Sequence, residues 1–183
     1  MATYISGESL TFARKHIESY YDTDFFPKPF EFYALWYKWD AVKLHITSKP
    51  LDQIFDAPPV AAPWRKTRGG YRIVHQLEPL DSVIYTALAF IIAEQVEQAR
   101  ADEHVACSYR IEIDEGSLFG SGSGFDRYRE RCEYLAEEYS FVLTTDISDF
   151  YNQLYLHRLR NAIESATDIT GIATQIEKFL ASV

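Results

Sequence analysis

The chain has 183 residues, of which 47% are hydrophobic, and a formal net charge of −9. This length suits one ordinary domain or slightly more. No apolar run approaches the ~20 residues of a membrane span and no secretory signal opens the sequence, so we expect a cytoplasmic protein with no membrane partner. The acidic balance argues at first against a nucleic-acid partner, because phosphate binding depends on lysine and arginine.

The segment up to residue 58 is rich in aromatic residues, and we expect it to be mostly helical. A first helix is predicted over residues 10–21, ended by the acids and prolines of residues 22–29. Four apolar residues then recur at helical spacing: Phe32, Leu35, Trp36 and Trp39. Such spacing favours an ordinary helical core, and a surface that docks a protein partner is the alternative.

Residues 57–77 form a basic strip in an otherwise acidic chain. They contain no aspartate or glutamate, and they hold Arg65, Lys66, Arg68, Arg72 and His75. The pattern around Gly69-Gly70 predicts a β-hairpin with these glycines at its turn. The distribution of charge matters more than its sum, so this strip is compatible with a local phosphate site.

The next segments predict two helices separated by a loop. The first begins at Pro79 and buries the stripe Val83, Ile84, Ala87, Leu88, Ile91, Ile92 and Val96. The glycine-rich residues 116–124 lack the Gly-Lys-Ser/Thr ending of a phosphate loop, which favours a flexible surface loop. The second helix covers residues 126–139 and is expected to present Tyr128, Cys132 and Leu135 to a core.

Residues 141–151 carry the most informative pattern in the chain. A short apolar run predicts a buried strand that ends at Asp146, followed by Asp149 and by an aromatic pair, Phe150-Tyr151. An aspartate at such a position is most often a helix cap or a turn residue. Two helices are predicted afterwards, one through Leu156, Leu159 and Ile163 and one through Ile172, Ile176 and Leu180.

Residues 141–159 resemble the first palm motif of reverse transcriptases, in which an acid on a strand is followed by two aromatics and a short helix. Lys66 with Tyr71-Arg72-Ile73-Val74 resembles the fingers hairpin of the same family, and Pro79 with Asp81 also matches it. Cys107-Ser108-Tyr109-Arg110 is similar to a later fingers segment, which usually has glycine where Ser108 stands. The resemblance covers residues 65–163 and is closest to bacterial reverse transcriptases, including the abortive-infection and other phage-defence types.

The resemblance implies an α+β fold in three parts. These are a mostly helical amino-terminal extension over residues 1–58, fingers with a β-hairpin over 59–140, and the start of a right-hand polymerase palm over 141–183. This palm would be incomplete, with only its first strand and helices.

The resemblance also implies site residues. Asp146 would be the catalytic acid and would bind two Mg²⁺ ions, with the backbone carbonyl of Ile147 completing one shell. Nucleotide binding would fall to Lys66, Arg72, Arg110 and Tyr151, the last as a steric gate against ribonucleotides. Contacts to the nucleic-acid backbone would fall to Arg65, Arg68 and His157.

The same family requires a second palm motif, an aromatic residue followed by x-Asp-Asp, and none follows Tyr151. We therefore expect this polypeptide to be inactive alone and to need the rest of the palm and the thumb. The complete enzyme would use an RNA template and deoxynucleoside triphosphates to make DNA. An alternative is a catalytically silent acidic helical module that docks a protein partner through the aromatics of residues 25–39. A third possibility, an RNA-dependent RNA polymerase, is disfavoured by the bulk of Tyr151.

Overall fold

The computed structural model describes residues 3–54, 58–67, 69–102, 105–114, 116–120, 124–147 and 150–182. Within these ranges the chain has seven α-helices and two small antiparallel sheets of two strands each. The mixed α+β class expected from the sequence is therefore confirmed.

Three helices form the amino-terminal region: α1 (Gly7–Tyr20), α2 (Glu31–Tyr37) and α3 (Trp39–Thr47). Helix α1 begins where the Ser6 side chain accepts a hydrogen bond from the Ser9 amide at 3.1 Å, which satisfies one of the free amides of the first turn. A 3-10 turn, Leu51–Gln53, closes the region. The predicted helical character of this region is confirmed.

The predicted hairpin is confirmed as strands β1 (Val60–Arg65) and β2 (Tyr71–Gln76), paired in antiparallel register with Arg65 opposite Tyr71. Gly69 and Gly70 have φ angles of 92° and 81°, which side-chain-bearing residues rarely adopt. The glycine pair therefore sets the turn that aligns the two strands.

Helix α4 (Pro79–Ala99) is the longest element among the described residues and begins with proline in its first turn, as predicted. Val83, Ile84, Ala87 and Leu88 are fully buried. Helix α4 is long and apolar enough to span a membrane by length and composition alone, and 44% of its most apolar window is buried inside the protein.

The glycine-rich segment contains a strand that the sequence analysis did not predict. Strand β3 (Ile111–Asp114) pairs with β4 (Ser117–Phe119), and Leu118 is buried against Phe12 of α1 and Ala93 of α4. The loop prediction is thus wrong for residues 117–119. A strand of three residues leaves too short an alternation to detect in sequence. Residues 121–123 of the predicted loop lie outside the described ranges.

Helix α5 (Gly124–Glu138) matches the helix predicted over 126–139, but the burial predicted for it is wrong. Tyr128 is 42% exposed, while Cys132 and Leu135 are only half-buried. Gly124 packs so closely on the backbone of Ser108 that a Cβ atom there would collide with it. The helix is therefore anchored mainly at its first turn.

The strand predicted to end at Asp146 does not form in the structure. Residues 141–147 have no regular secondary structure, and Phe141 and Leu143 are 95% and 88% exposed. A strand needs a neighbour to pair its backbone N–H and C=O groups, and no described strand pairs with this segment. The apolar run has strand character in sequence but lacks a partner here.

Beyond this segment the chain forms a 3-10 helix (Phe150–Gln153), α6 (Leu156–Thr167) and α7 (Thr170–Ala181). The two predicted carboxyl-terminal helices are confirmed. Asp168 between them adopts the left-handed region at φ 56°, and its amide donates to the Glu164 carbonyl to end α6.

One hydrophobic core joins elements from the beginning, middle and end of the chain. Its fully buried members include Leu10 of α1, Phe32 of α2, Ile84 and Leu88 of α4, and Ala173 of α7. The aromatic spacing of residues 32–39 thus produces core packing: Phe32 is 2% exposed and Trp39 is 9% exposed. The three-part division expected from the sequence stays a prediction, and the described core runs through all three parts.

Candidate functional site

The hairpin presents its cations to solvent. Arg65 and Arg72 are exposed, and Lys66 is half-buried at the end of β1. The Lys66 amide donates to the Gly70 carbonyl at 3.0 Å, which fixes the lysine next to the turn. Arg68, the fourth cation of the predicted phosphate site, lies outside the described residues.

The loop between α1 and α2 holds the hairpin in place. The Phe25 ring meets the Trp64 ring edge-on at 5.5 Å, and the Arg72 guanidinium lies over the Phe25 ring, 5.8 Å from its centroid. The Gln76 side-chain amide donates to the Pro27 carbonyl at 3.2 Å. The sequence does not indicate that Phe25 lies beside Arg72, because the two residues are far apart in the chain and no spacing pattern connects them.

Asp146 lies in the exposed segment 141–147. Its side chain is exposed, and within the described ranges its carboxylate has no ion-pair or hydrogen-bond partner. The segment contacts α5, since the Tyr128 hydroxyl bonds with Cys132 and with Thr144, and the bond to Cys132 raises the pKa of Tyr128. Asp149 lies outside the described residues. That Asp146 faces the hairpin across a cleft stays a prediction.

Tyr151 and His157 follow this segment. Tyr151 belongs to the 3-10 helix Phe150–Gln153, and its side chain lies outside the described part of the chain. The His157 Nδ1 atom lies 3.4 Å from the Glu177 carboxylate, which also accepts a hydrogen bond from Arg160 at 3.1 Å. His157 is still 48% exposed, so its ring is accessible from solvent.

Arg110 is held in a local network centred on Glu97 of α4. Its Nη1 atom pairs with Glu97 at 2.9 Å and its Nη2 atom donates to the Ala101 carbonyl at 3.1 Å. Arg100 donates to the same carboxylate at 2.8 Å, and it also bonds the Ser108 hydroxyl. Arg110 thus anchors the start of β3 to the end of α4. A nucleotide contact would require it to leave part of this network.

We expect Glu97→Gln to lower the free energy of unfolding at neutral pH by about 1.5–3 kcal/mol, the range for hydrogen bonds to charged groups. Burial tends to raise the pKa of Glu97, but the Ile111 amide and the two arginines outweigh it and lower the pKa below the ordinary value of a glutamate. The carboxylate therefore stabilises the fold above that value, and this contribution is lost as the pH falls through the lowered folded-state pKa.

Urea denaturation followed between neutral and acid pH measures this effect. The Glu97→Gln protein should show a smaller loss of stability on acidification than the wild type. Glu94→Gln, on an exposed position of the same helix, is the control and should match the wild type at every pH. An unchanged pH dependence in Glu97→Gln would contradict the role of this network.

The residues fit a magnesium site only in part. The free carboxylate of Asp146 and the Ile147 carbonyl are hard oxygen donors of the type that Mg²⁺ prefers. No group of three or more histidine, cysteine, aspartate or glutamate side chains that could hold a metal lies among the residues described by the structure. Asp146 can therefore supply one ligand, and further acids must come from elsewhere for a two-ion centre.

No protein-family model, curated protein or solved structure matches this chain.

Proposed function

We propose that this chain is the amino-terminal portion of an RNA-directed DNA polymerase, containing the fingers and the start of a right-hand palm. The observation that most supports the proposal is the hairpin Val60–Gln76. It exposes Arg65 and Arg72 and places Lys66 at its turn, in a stretch of sequence free of acids. Such a hairpin suits a nucleoside triphosphate, which brings about four negative charges that arginine forks can hold.

In this proposal Asp146 is the catalytic acid of the complete enzyme. Two Mg²⁺ ions would supply the chemistry, by activating the primer 3′-hydroxyl and neutralising the leaving pyrophosphate. The exposed carboxylate of Asp146 supports this role, because among the residues that the structure describes it has no ion pair that would compete with a metal. The Ile147 carbonyl would add one oxygen ligand, and the remaining palm would supply the other acids.

The state of residues 141–147 is consistent with an unfinished sheet. Their apolar side chains are exposed and their backbone is unpaired among the described strands. In the proposed polymerase, a strand from the rest of the palm would pair with this segment and cover Phe141 and Leu143. The same sheet would then hold Asp146 rigidly, as a metal acid requires.

The other proposed contacts follow from the resemblance to the reverse-transcriptase motifs. Lys66 and Arg72 would hold the triphosphate, with a contribution from Arg110 if it leaves Glu97, and Tyr151 would pack against the deoxyribose. Arg65, Arg68 and His157 would contact the nucleic-acid backbone. The enzyme would act in the cytoplasm, without a membrane partner, and in antiviral defence.

A primer-extension assay with the product of the complete reading frame tests the proposal. The purified protein should incorporate deoxynucleotides on an RNA template when Mg²⁺ is present and stop when the metal is chelated. Lys66→Ala should raise the KM for deoxynucleotides, while Lys38→Ala, at the end of α2, should not. Absence of incorporation with every primer type tried, in Mg²⁺ and in Mn²⁺, would refute the proposal.

We expect Tyr151→Ala in the complete protein to increase the use of ribonucleotides relative to deoxynucleotides by tenfold or more. A ring against the sugar leaves no room for a 2′-hydroxyl, and alanine would remove that barrier. Comparing kcat/KM for matched ribo- and deoxynucleotides measures the effect. Tyr155→Ala, at an exposed position nearby, is the control. If Tyr151→Ala keeps the wild-type preference for deoxynucleotides over ribonucleotides, Tyr151 is not a steric gate.

A second candidate function, the binding module, has one observation in its favour. Phe32 and Trp39 of the aromatic segment are buried in the core, but Phe30, Tyr33 and Tyr37 are 76%, 79% and 82% exposed. A protein partner could cover these three rings. The complete reading frame separates the two functions, because a downstream aromatic-x-Asp-Asp favours the polymerase and its absence favours the module.

A further inference from the structure

A cleft of about 260 Å³ lies where the amino-terminal extension meets the base of the hairpin and the first turns of α4. We call it the aromatic cleft. Seven of its lining residues carry rings: His16, Tyr20, Tyr21, Phe25, Phe26, His75 and Tyr85. This volume is below the range of about 300–1,000 Å³ typical of pockets for drug-sized ligands, so the cleft suits one flat ring system and not a whole nucleoside triphosphate.

Neighbouring groups hold the rings of the aromatic cleft in place, and Tyr20 also stays largely exposed to solvent. Tyr20 stacks on His16 with 5.4 Å between ring centroids, and His16 is fixed by a 3.1 Å hydrogen bond between its Nδ1 atom and the Gly116 carbonyl. The Tyr20 side chain is nevertheless 58% exposed. Phe25 and Phe26 are half-buried. Little ordering is therefore needed before another ring can stack here.

The charges around the aromatic cleft suit a phosphodiester strand. The Arg72 guanidinium lies over the ring of Phe25, which lines the cleft, and Arg65 adds positive charge on the neighbouring strand of the hairpin. One acid, Asp22, also lines the cleft, and its Oδ1 atom accepts a hydrogen bond from the Asp24 amide at 2.8 Å. A carboxylate in this position can accept a hydrogen bond from an N–H group of a base, such as the ring N3–H of uracil or thymine, while phosphates lie on the side of the arginines.

We propose that the aromatic cleft binds one unstacked base of a single-stranded nucleic acid, with the flanking phosphate held by Arg72. Stacking on aromatic rings beside a cationic groove is how proteins hold single strands without reading their sequence. This site uses no residue of the metal centre proposed at Asp146. It shares Arg72 with the proposed triphosphate contacts, so a bound strand and a triphosphate would compete for that guanidinium. Strand binding in the aromatic cleft needs neither a metal nor the rest of a palm.

The test measures binding by fluorescence anisotropy at low salt, with the full chain and three short labelled strands. These strands are an oligouridylate, an oligothymidylate and an abasic strand with the same number of phosphates. The wild type should bind the first two about tenfold or more tightly than the abasic strand. The ratio between oligouridylate and oligothymidylate shows whether RNA or DNA is the preferred source of the base.

Tyr20→Leu is the informative variant, because its exposed ring can be removed without opening the core. It should lose the preference for base-bearing strands and bind the abasic strand as the wild type does. Tyr37→Leu, which removes an exposed ring outside the cleft, should keep the full preference. Phe25→Leu is a second variant with the same expectation, and thermal unfolding confirms that each protein is folded.

Equal binding of base-bearing and abasic strands by the wild type would overturn the inference, as would failure to bind any strand. An unaltered preference in both Tyr20→Leu and Phe25→Leu would overturn it as well. The polymerase proposal fails independently, through the primer-extension assay. Base-dependent binding without DNA synthesis would support the aromatic cleft as a binding site and refute the polymerase proposal. DNA synthesis without base-dependent binding would support the polymerase proposal and refute the binding site.

Discussion

Asp146→Asn in the complete polymerase is expected to reduce RNA-templated DNA synthesis to background. The substitution keeps the size and shape of the side chain but removes the negative charge that would bridge two Mg²⁺ ions. A neutral amide cannot offset the repulsion between the two cations or present two equivalent oxygens to them. The measurement is incorporation of labelled deoxynucleotide per enzyme under saturating substrate.

Asp168→Asn provides the matched control for this experiment. It removes one carboxylate from the same part of the chain, and asparagine tolerates the left-handed conformation that residue 168 adopts. The control should keep wild-type activity, and both variants should unfold at the wild-type temperature, since Asp146 is exposed. If Asp146→Asn synthesises DNA at more than a small fraction of the wild-type rate, residue 146 is not part of the catalytic centre.

Phe32→Ala should lower the free energy of unfolding by about 3–5 kcal/mol, the range for removing a buried aromatic ring. The Phe32 ring is 2% exposed, stacks on Trp36 at 5.4 Å and meets Tyr21 edge-on at the same distance. Its removal leaves a cavity and breaks both ring contacts. Chemical denaturation monitored by circular dichroism measures the loss, which would be a large share of the ~5–15 kcal/mol of a typical domain.

The control for this prediction is Phe30→Ala, because Phe30 is 76% exposed and lies just before the same helix. Its substitution should change the free energy of unfolding by no more than about 0.5 kcal/mol. A similar loss in both variants would mean that the rings of this region stabilise the fold without regard to burial. That outcome would contradict the core position of Phe32.

The elements that were predictable from sequence are those whose signals are local. The hairpin depends on Gly69-Gly70 at its turn, and α4 depends on Pro79 at its start and a continuous apolar stripe. Each signal acts on neighbours within a few residues, so no distant contact can override it easily. The burial of Phe32 and Trp39 followed from their helical spacing for the same reason.

The predictions that proved wrong concern segments whose structure depends on contacts with residues far away in the chain. Residues 141–147 have the apolar pattern of a buried strand, but a strand forms only with a neighbour, and sequence does not state whether one is present. Helix α5 has a periodic apolar stripe, yet Tyr128 stays 42% exposed, because α5 makes no extensive contact with another described helix or strand. Periodicity predicts which side chains could be buried, not what buries them.

The contacts of the candidate site also fall into two groups, those that the sequence indicated and those that it did not. The sequence indicated the cations of the hairpin, and the structure places Arg65, Lys66 and Arg72 together on it. It did not indicate that Glu97 holds Arg110, or that Phe25 lies beneath Arg72, since both contacts bring together separate segments. The roles of Asp146, Ile147, Tyr151 and His157 stay predictions, and so does the role of Arg68.

The core described above draws on α1, α2, α4, α6 and α7 together, and this bears on how the polypeptide can be divided. A cut near residue 58 or 140 would not release modules that fold alone, because each piece would carry away part of one shared interior. We infer that deletion of the first helices would leave insoluble protein. Functional dissection of this chain therefore calls for point substitutions at the surface and not for truncation.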